Sequence, residues 1–267
     1  MPNRFVVAVI EIGAALICSG VTLAQSSQPQ QLPTTKKEEK SAPALPRDLS
    51  GIWDAGRKGI LPSTGAVKPP MTPWGQEKLN ANKPGFGPRE VPAALTNDPL
   101  DTCDPAGFPR DDLFELRILQ IVQTSNQVLI LYQYQRAWRA IWTDGRELPK
   151  NPDTRWYGYS VGKWETDDTF VVETVGTDER TWLDDEGDPH SEELRTEERF
   201  HRIDRDTLEL TVTVDDPKTY TRPWVAVNKV VLRLQPPTTE VMEMICAPSE
   251  VEAYKKAVAD PAAGATK

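Results

Sequence analysis

From Phe114 to Cys246 the chain is a procession of strand-length runs separated by turn signals, and that spacing restricts the fold more than any other feature. Strands are expected near 114–123, 127–135, 136–143, 156–165, 169–176, 194–204, 207–214, 224–235 and 240–246. Ser125-Asn126, Asp144-Gly145, Asp167-Asp168, the stretch from Asp204 to Asp206 and Pro236-Pro237 stand where tight turns belong. Leu208, Leu210, Val212 and Val214 share one face of their run, and Thr207, Glu209, Thr211 and Thr213 share the other, the pattern of a strand buried on one side. A further strand around Trp53 brings the total to about ten. A sheet that wide avoids exposed edges by closing, which predicts an all-β, antiparallel up-and-down barrel.

The ends of the chain are of a different kind. Residues 1–24 carry Arg4, an apolar run broken only by Glu11 and a small-residue exit at Thr22-Leu23-Ala24, the order of a secretory signal peptide. Ile17 is too bulky for the residue before a lipidated cysteine, which argues against lipidation at Cys18. Residues 25–47, rich in Gln, Pro, Ser and Lys, hold too few large apolar groups to offset the entropy of ordering and are expected to be a flexible linker. A single domain is expected over 48–259, with a loose tail at 260–267. Between Gly56 and Asp112 a Pro- and Gly-rich excursion interrupts the strands. It carries one short helix, opened by Thr72 as N-cap with Pro73 in the first turn and fading by Lys83-Pro84. A second helix is expected over 249–259, with Ser249 and Glu252 as a capping box.

Charge and cysteine content exclude some partners. A net charge of −9 and a pI near 4.9 are wrong for a phosphate-binding surface, so nucleic acid is not an expected partner. Past residue 24 no segment is long and apolar enough to span a bilayer, and no integral membrane segment is expected in the mature chain. Cys103 and Cys246 are the cysteines left after the signal peptide, in a compartment where thiols are oxidised. One disulfide is the economical expectation, two buried thiols the alternative. The expected location is periplasmic or secreted.

The segments DLSGIW, VGKWETDDTFVVETVG, TWLDDEGDPHS and DDPKTYTRPW resemble those of an uncharacterised family of secreted bacterial proteins, and the likeness spans most of residues 48–247. It implies export and no particular activity. Gly51-Ile52-Trp53, followed by the meander, is also similar to the opening of lipocalins and other calycins. That likeness implies a calycin-like barrel wound around a ligand.

Candidate chemistry is concentrated in a few places. The loop 181–191 packs Trp182, Asp184, Asp185, Asp188 and His190 together. His190, oriented by Asp184, is a candidate general base, against the plainer use of both in closing the loop. Alternation puts Glu198 on the apolar face of its strand, where a carboxylate must be paired, bonded or protonated. Arg139 is the candidate partner, and Glu173 and Glu243 are expected to point inward as well. Trp182, Trp164, Tyr134, Arg139 and Arg199 are candidate ligand contacts, with core packing as the alternative for the aromatics. An EF-hand fails because Gly187 falls at the fourth place and Arg195 at the twelfth, and His190 and His201 lack zinc spacing, so neither metal nor cofactor is expected.

These features predict a protein that binds a small apolar or aromatic organic molecule in the barrel mouth, with loops 178–193 and 215–224 as its rim. The alternatives are a hydrolase, lyase or isomerase using His190 or Glu198 in the same pocket, and an envelope protein working through its outer surface.

Overall fold

A computed structural model describes residues 47–56 and 66–264. The expected signal peptide, Cys18 and nearly all of the linker lie outside the described residues. Nine strands form one closed barrel in chain order: β1 (Gly51–Asp54), β2 (Ile118–Gln123), β3 (Gln127–Tyr132), β4 (Trp138–Trp142), β5 (Tyr159–Trp164), β6 (Thr169–Val175), β7 (Arg195–Asp204), β8 (Thr207–Asp215) and β9 (Trp224–Leu234). Closure runs through β1, which pairs antiparallel with β2 and with β9, Trp53 lying opposite both Leu119 and Leu234.

Two expectations about the strands are corrected, and the corrections are linked. Residues 240–246 form no strand, because β1 already occupies the edge of β9 that a tenth strand would need. With nine strands, an all-antiparallel barrel cannot close, since direction reverses at each step and must be restored after a full circuit. One pair must be parallel. It is β4 with β5, joined by the register Ile141 opposite Ser160 and Trp142 opposite Val161. The connection over 143–158 is long enough to carry the chain back to the end it came from, as a parallel pair requires.

The registers sort the connections to two ends. Residues 54, 118, 132, 138, 159, 175, 195, 215 and 224 lie at one end, called here the mouth. The excursion over 55–117 leaves and returns there, as do the connections 176–194 and 216–223. At the opposite end, the base, tight turns at 124–126, 165–168 and 205–206 join neighbouring strands, and the 143–158 connection, the chain leading into β1 and the chain leaving β9 also meet that end.

Inward residues follow the alternation. Leu208, Leu210, Val212 and Val214 are all buried, and with Trp53, Leu119, Ile121, Ile130, Ile141, Phe170, Val172, Phe200 and Leu232 they fill the barrel. Gly162 on β5 gives Phe170 room, since a methyl group there would come within 2.3 Å of the ring. Burial of each such side chain contributes about 1.5–3 kcal/mol before entropy is counted.

Helix α1 (Pro73–Ala81) begins as expected: the Thr72 hydroxyl accepts from the Gly75 N–H at 3.1 Å and donates to the Lys218 carbonyl. Its start presses on the 216–223 connection so closely that a methyl at Gly75 would lie 2.5 Å from the Thr219 carbonyl oxygen. A short helix, α2 (Arg110–Leu113), was not expected, and all four of its residues are buried. Helix α3 spans Pro248–Tyr254 with Ala247 at its N-cap and no side-chain cap, so the Ser249–Glu252 capping box does not form. Helical backbone continues through Ala262, three residues into the stretch expected to be loose. Cys103 and Cys246 form the expected disulfide, which ties the excursion to the segment before α3. Among the described residues no helix is long and apolar enough to cross a membrane.

Candidate functional site: the mouth of the barrel

The mouth is closed by a plug built from the excursion. Phe108 is fully buried, and α2 follows it into the opening. Arg139, inward on β4, lies under the Phe108 ring, its guanidinium carbon 3.9 Å from the ring centroid. It donates from Nη2 to Oε2 of Glu198 on β7 and from Nη1 to the Tyr132 hydroxyl at 3.3 Å, with Asp112 Oδ2 at 3.7 Å. Tyr132 donates to Asp112 Oδ1 at 2.9 Å. The pairing of Glu198 with Arg139 is thus as the alternation predicts. Glu173 and Glu243, by contrast, lie on the outside against Arg195 and Arg136.

The plug holds more acid than base. Arg110 binds Asp98 through both terminal nitrogens and Asp185 through Nη2, Arg117 binds Glu115, and Arg139 serves both Glu198 and Asp112. Asp111 has no cation of its own, and neither of its buried oxygens has a hydrogen-bond partner. Asp112 Oδ2, Glu198 Oε1 and Thr196 Oγ1 are buried and unpartnered too. Burial, reinforced by Asp112, pushes Asp111 well above the usual carboxylate range. Burial also drives Glu198 up to about 8, against the pull of Arg139 and with the push of Asp112. Tyr157 sits near enough to Asp111 for the carboxylate to help burial raise its pKa, yet its hydroxyl finds no bond of good geometry.

The loop 181–191 is packed inward rather than presented. His190 is fully buried, with Nδ1 at 3.1 Å from the Ser191 carbonyl oxygen and Nε2 at 2.6 Å from the Thr181 hydroxyl. Burial lowers its pKa, which keeps the ring neutral, and Nδ1–H donates to the carbonyl. Ser191 and Thr219 both donate to Asp216, which fastens the loop to the 216–223 connection. Asp184 accepts from the backbone of Glu186 and Asp188 and makes a turn of its own loop, away from His190. Asp184, Glu186 and Asp188 offer oxygens within 4.8 Å of one another, but the Lys68 ammonium is bonded to Asp184 and Asp188 and lies 3.7 Å from Glu186, where a metal ion would sit.

The remaining candidates are scattered. Trp182 bridges to Pro189, lies near Arg110 with 5.7 Å between ring centroid and guanidinium, and walls a polar cleft of about 550 Å³ beside α1. Lys78, Asp98, Asp101, Asp104, Glu179, Arg180 and Lys255 surround that cleft with charge. Tyr134 stands in the β3–β4 turn with Arg117 over its ring, and burial raises its hydroxyl pKa. Trp164 packs on Phe170 at the base. Arg199 is directed outward to Glu165 and Glu197, a correction to its expected place in the lumen, because it falls on the opposite face of β7 from Glu198.

A second cleft, of about 420 Å³, opens beside the parallel seam. It is lined by Cys103, Pro105, Gln135, Ala137, Trp138, Tyr157, Ile245 and Cys246, none of them charged. Trp138 and Ile245 are 63% and 58% exposed. Cys103, Gln135 and Arg136 hold left-handed backbone at φ of 64°, 50° and 50°, three of the five such non-glycine residues described. Each costs roughly 1 kcal/mol or more, and strain of this kind collects where a site is shaped. The Gln135 amide locks the turn in place by accepting from the Ala106 N–H and donating to the Asp104 carbonyl. Sequence reasoning missed this cleft and the acids of α2. Arg110-Asp111-Asp112 has the composition of a solvated helix start, and its one signal is the apolar company of Phe108, Leu113, Phe114 and Leu116.

Comparison with protein-family models, curated proteins and solved structures found no match.

Proposed function

We propose that this is an exported binding protein for a small, neutral, flat apolar molecule, held in the uncharged cleft at the flank of the barrel mouth. The observation that carries the assignment is an uncharged hollow on a strongly acidic protein, walled by a disulfide and an exposed tryptophan. Its volume is within the range of small-molecule sites, and Trp138 supplies a face on which a ring can stack. Binding here replaces binding inside the lumen, where α2 and the aromatic core take up the space. An enzyme is less well supported, because neither His190 nor Glu198 lines any of the described clefts.

The test is a fluorescence titration with N-phenyl-1-naphthylamine, a neutral aromatic probe. Wild type should bind it saturably, and Trp138→Ala, a change at an exposed position, should weaken binding at least tenfold. Trp182→Ala, in the charged cleft, should bind as wild type does. No saturable binding, or equal binding by Trp138→Ala, defeats the proposal. Exposed Leu131, Trp138 and Met242 favour a second reading, an interaction surface, and a probe-free protein that self-associates through this face would support it.

A further inference from the structure

The buried acids of the plug are unused by the binding site, and they have too few cations. Glu198 faces Arg139 from β4, Asp112 from α2 and Tyr132 from β3. Asp111 faces Asp112 and Arg110 along its own helix, Glu115 just beyond it, and Tyr157 from the segment before β5. Arg110 is already bonded to Asp98 and Asp185 and acts on Asp111 only through space, while Arg139 is shared between two carboxyls, Glu198 and Asp112. Ionised carboxylates accept hydrogen bonds and cannot donate them. Neither oxygen of Asp111 nor Oε1 of Glu198 meets a donor in good hydrogen-bond geometry, all three are shielded from solvent, and their neighbours are the Tyr157 hydroxyl beside Asp111 and the Asp112 carboxyl beside Glu198. An isolated carboxylate in such a place gives up its charge by keeping its proton.

We propose that Asp111 and Glu198 hold protons in the folded protein, and that losing them to bulk water drives α2 out of the barrel mouth, so that rising pH opens the plug. The acids are divided between the two parts that separate. Asp111 and Asp112 ride on the plug, and Glu198 stays on the barrel wall. Ionisation therefore sets like charges against each other across the joint, and withdrawal of α2 lets water reach all three. The disulfide at Cys103 limits how far the plug travels, which makes the opening local and reversible. The sign follows from linkage. Glu198 is raised from 4.5 to about 8, so the closed state keeps a proton that the open state releases, and closure weakens as pH rises through that interval. His190, lowered by burial, acts in the opposite direction and only near and below its ordinary value.

Amide hydrogen exchange between pH 6 and 8, expressed as protection relative to the intrinsic rate at each pH, tests this on the full mature protein. Protection over 106–116 should fall about tenfold per pH unit for each proton released, while 207–215 on β8 stays far better protected. In Glu198→Gln, which keeps the shape of the protonated acid, the slope should lessen by one proton. Asp111→Asn provides the same test should the first variant fold poorly. A flat wild-type profile overturns the proposal. So do slopes unchanged in both variants, or plug and β8 protection that fall together, which would mean that the plug never opens alone.

Discussion

The two ends of the barrel solve the same problem, a buried guanidinium over a hydrophobic core, in opposite ways. At the base Arg202 lies 4.6 Å from the Trp53 ring centroid and donates to the carbonyls of Asp48, Asp204 and Arg205. Its hydrogen-bond partners are neutral backbone groups, all supplied by short segments. At the mouth Arg139 lies under Phe108 but donates to side chains, among carboxyls that outnumber it, and several of their oxygens are unpartnered. At the base, antiparallel neighbours are joined by tight turns. Long connections give the mouth a separate plug, a strained turn and a cleft. The difference teaches where stability and function are divided in this fold: the base is built to stay closed, and the mouth carries the unbalanced charge.

The sharpest way to break the contrast is to remove the mouth's cation. Arg139→Leu leaves buried carboxyls without their guanidinium and should cost about 3–5 kcal/mol, read as a shift in the denaturant midpoint. Replacing both partners, Arg139→Leu with Glu198→Leu, should cost clearly less than the single change. A double variant that is worse than the single one would show that the pair contributes net stability rather than mutual compensation. The next effect in size belongs to the disulfide. Cys103→Ser with Cys246→Ser opens a loop of sequence separation 143 and should cost about 2–5 kcal/mol, with exchange rising first over the plug and last at the base. Uniform loosening would remove the distinction between the ends.

At the base, Arg202→Leu should cost about 1–3 kcal/mol, the loss of hydrogen bonds to neutral carbonyls. Its cost should be independent of pH between 6 and 8, unlike that of Arg139→Leu. The smallest effect is expected at the rim of the mouth, where Thr72→Ala removes the cap of α1 for about 1 kcal/mol. That variant should leave the base unaltered in exchange.

What could be read in the chain divides along the same line. Local rules reach their targets where a residue's environment is set by its own neighbours: the Thr72 cap, the β7 and β8 alternation, and the turns of the base. Period-two spacing alone marks Glu198 as an inward acid, and the same rule on β4 marks Arg139 as its partner. Arg199 failed as a ligand contact for that very reason, since it sits one residue from Glu198 and must face out. His190 and Asp184 look reactive in a short acidic segment, yet Thr181, Ser191 and Lys68 engage them. None of those partnerships follows from spacing.

The sequence by itself determined that this is a β protein and, on β4, β7 and β8, which faces turn inward, and it made a Cys103–Cys246 bridge the economical expectation that the structure bears out. Strand number and direction were decided only on closure, because an odd barrel must contain a parallel pair and no single strand carries that requirement. Tertiary structure alone decided that Arg110, Asp111 and Asp112 are buried, since their burial depends on a plug arriving from 55–117 to meet β3, β4 and β7. Local pattern reports what a residue prefers. Only the assembled mouth determines how many carboxyls must share one guanidinium, and so where protons are kept.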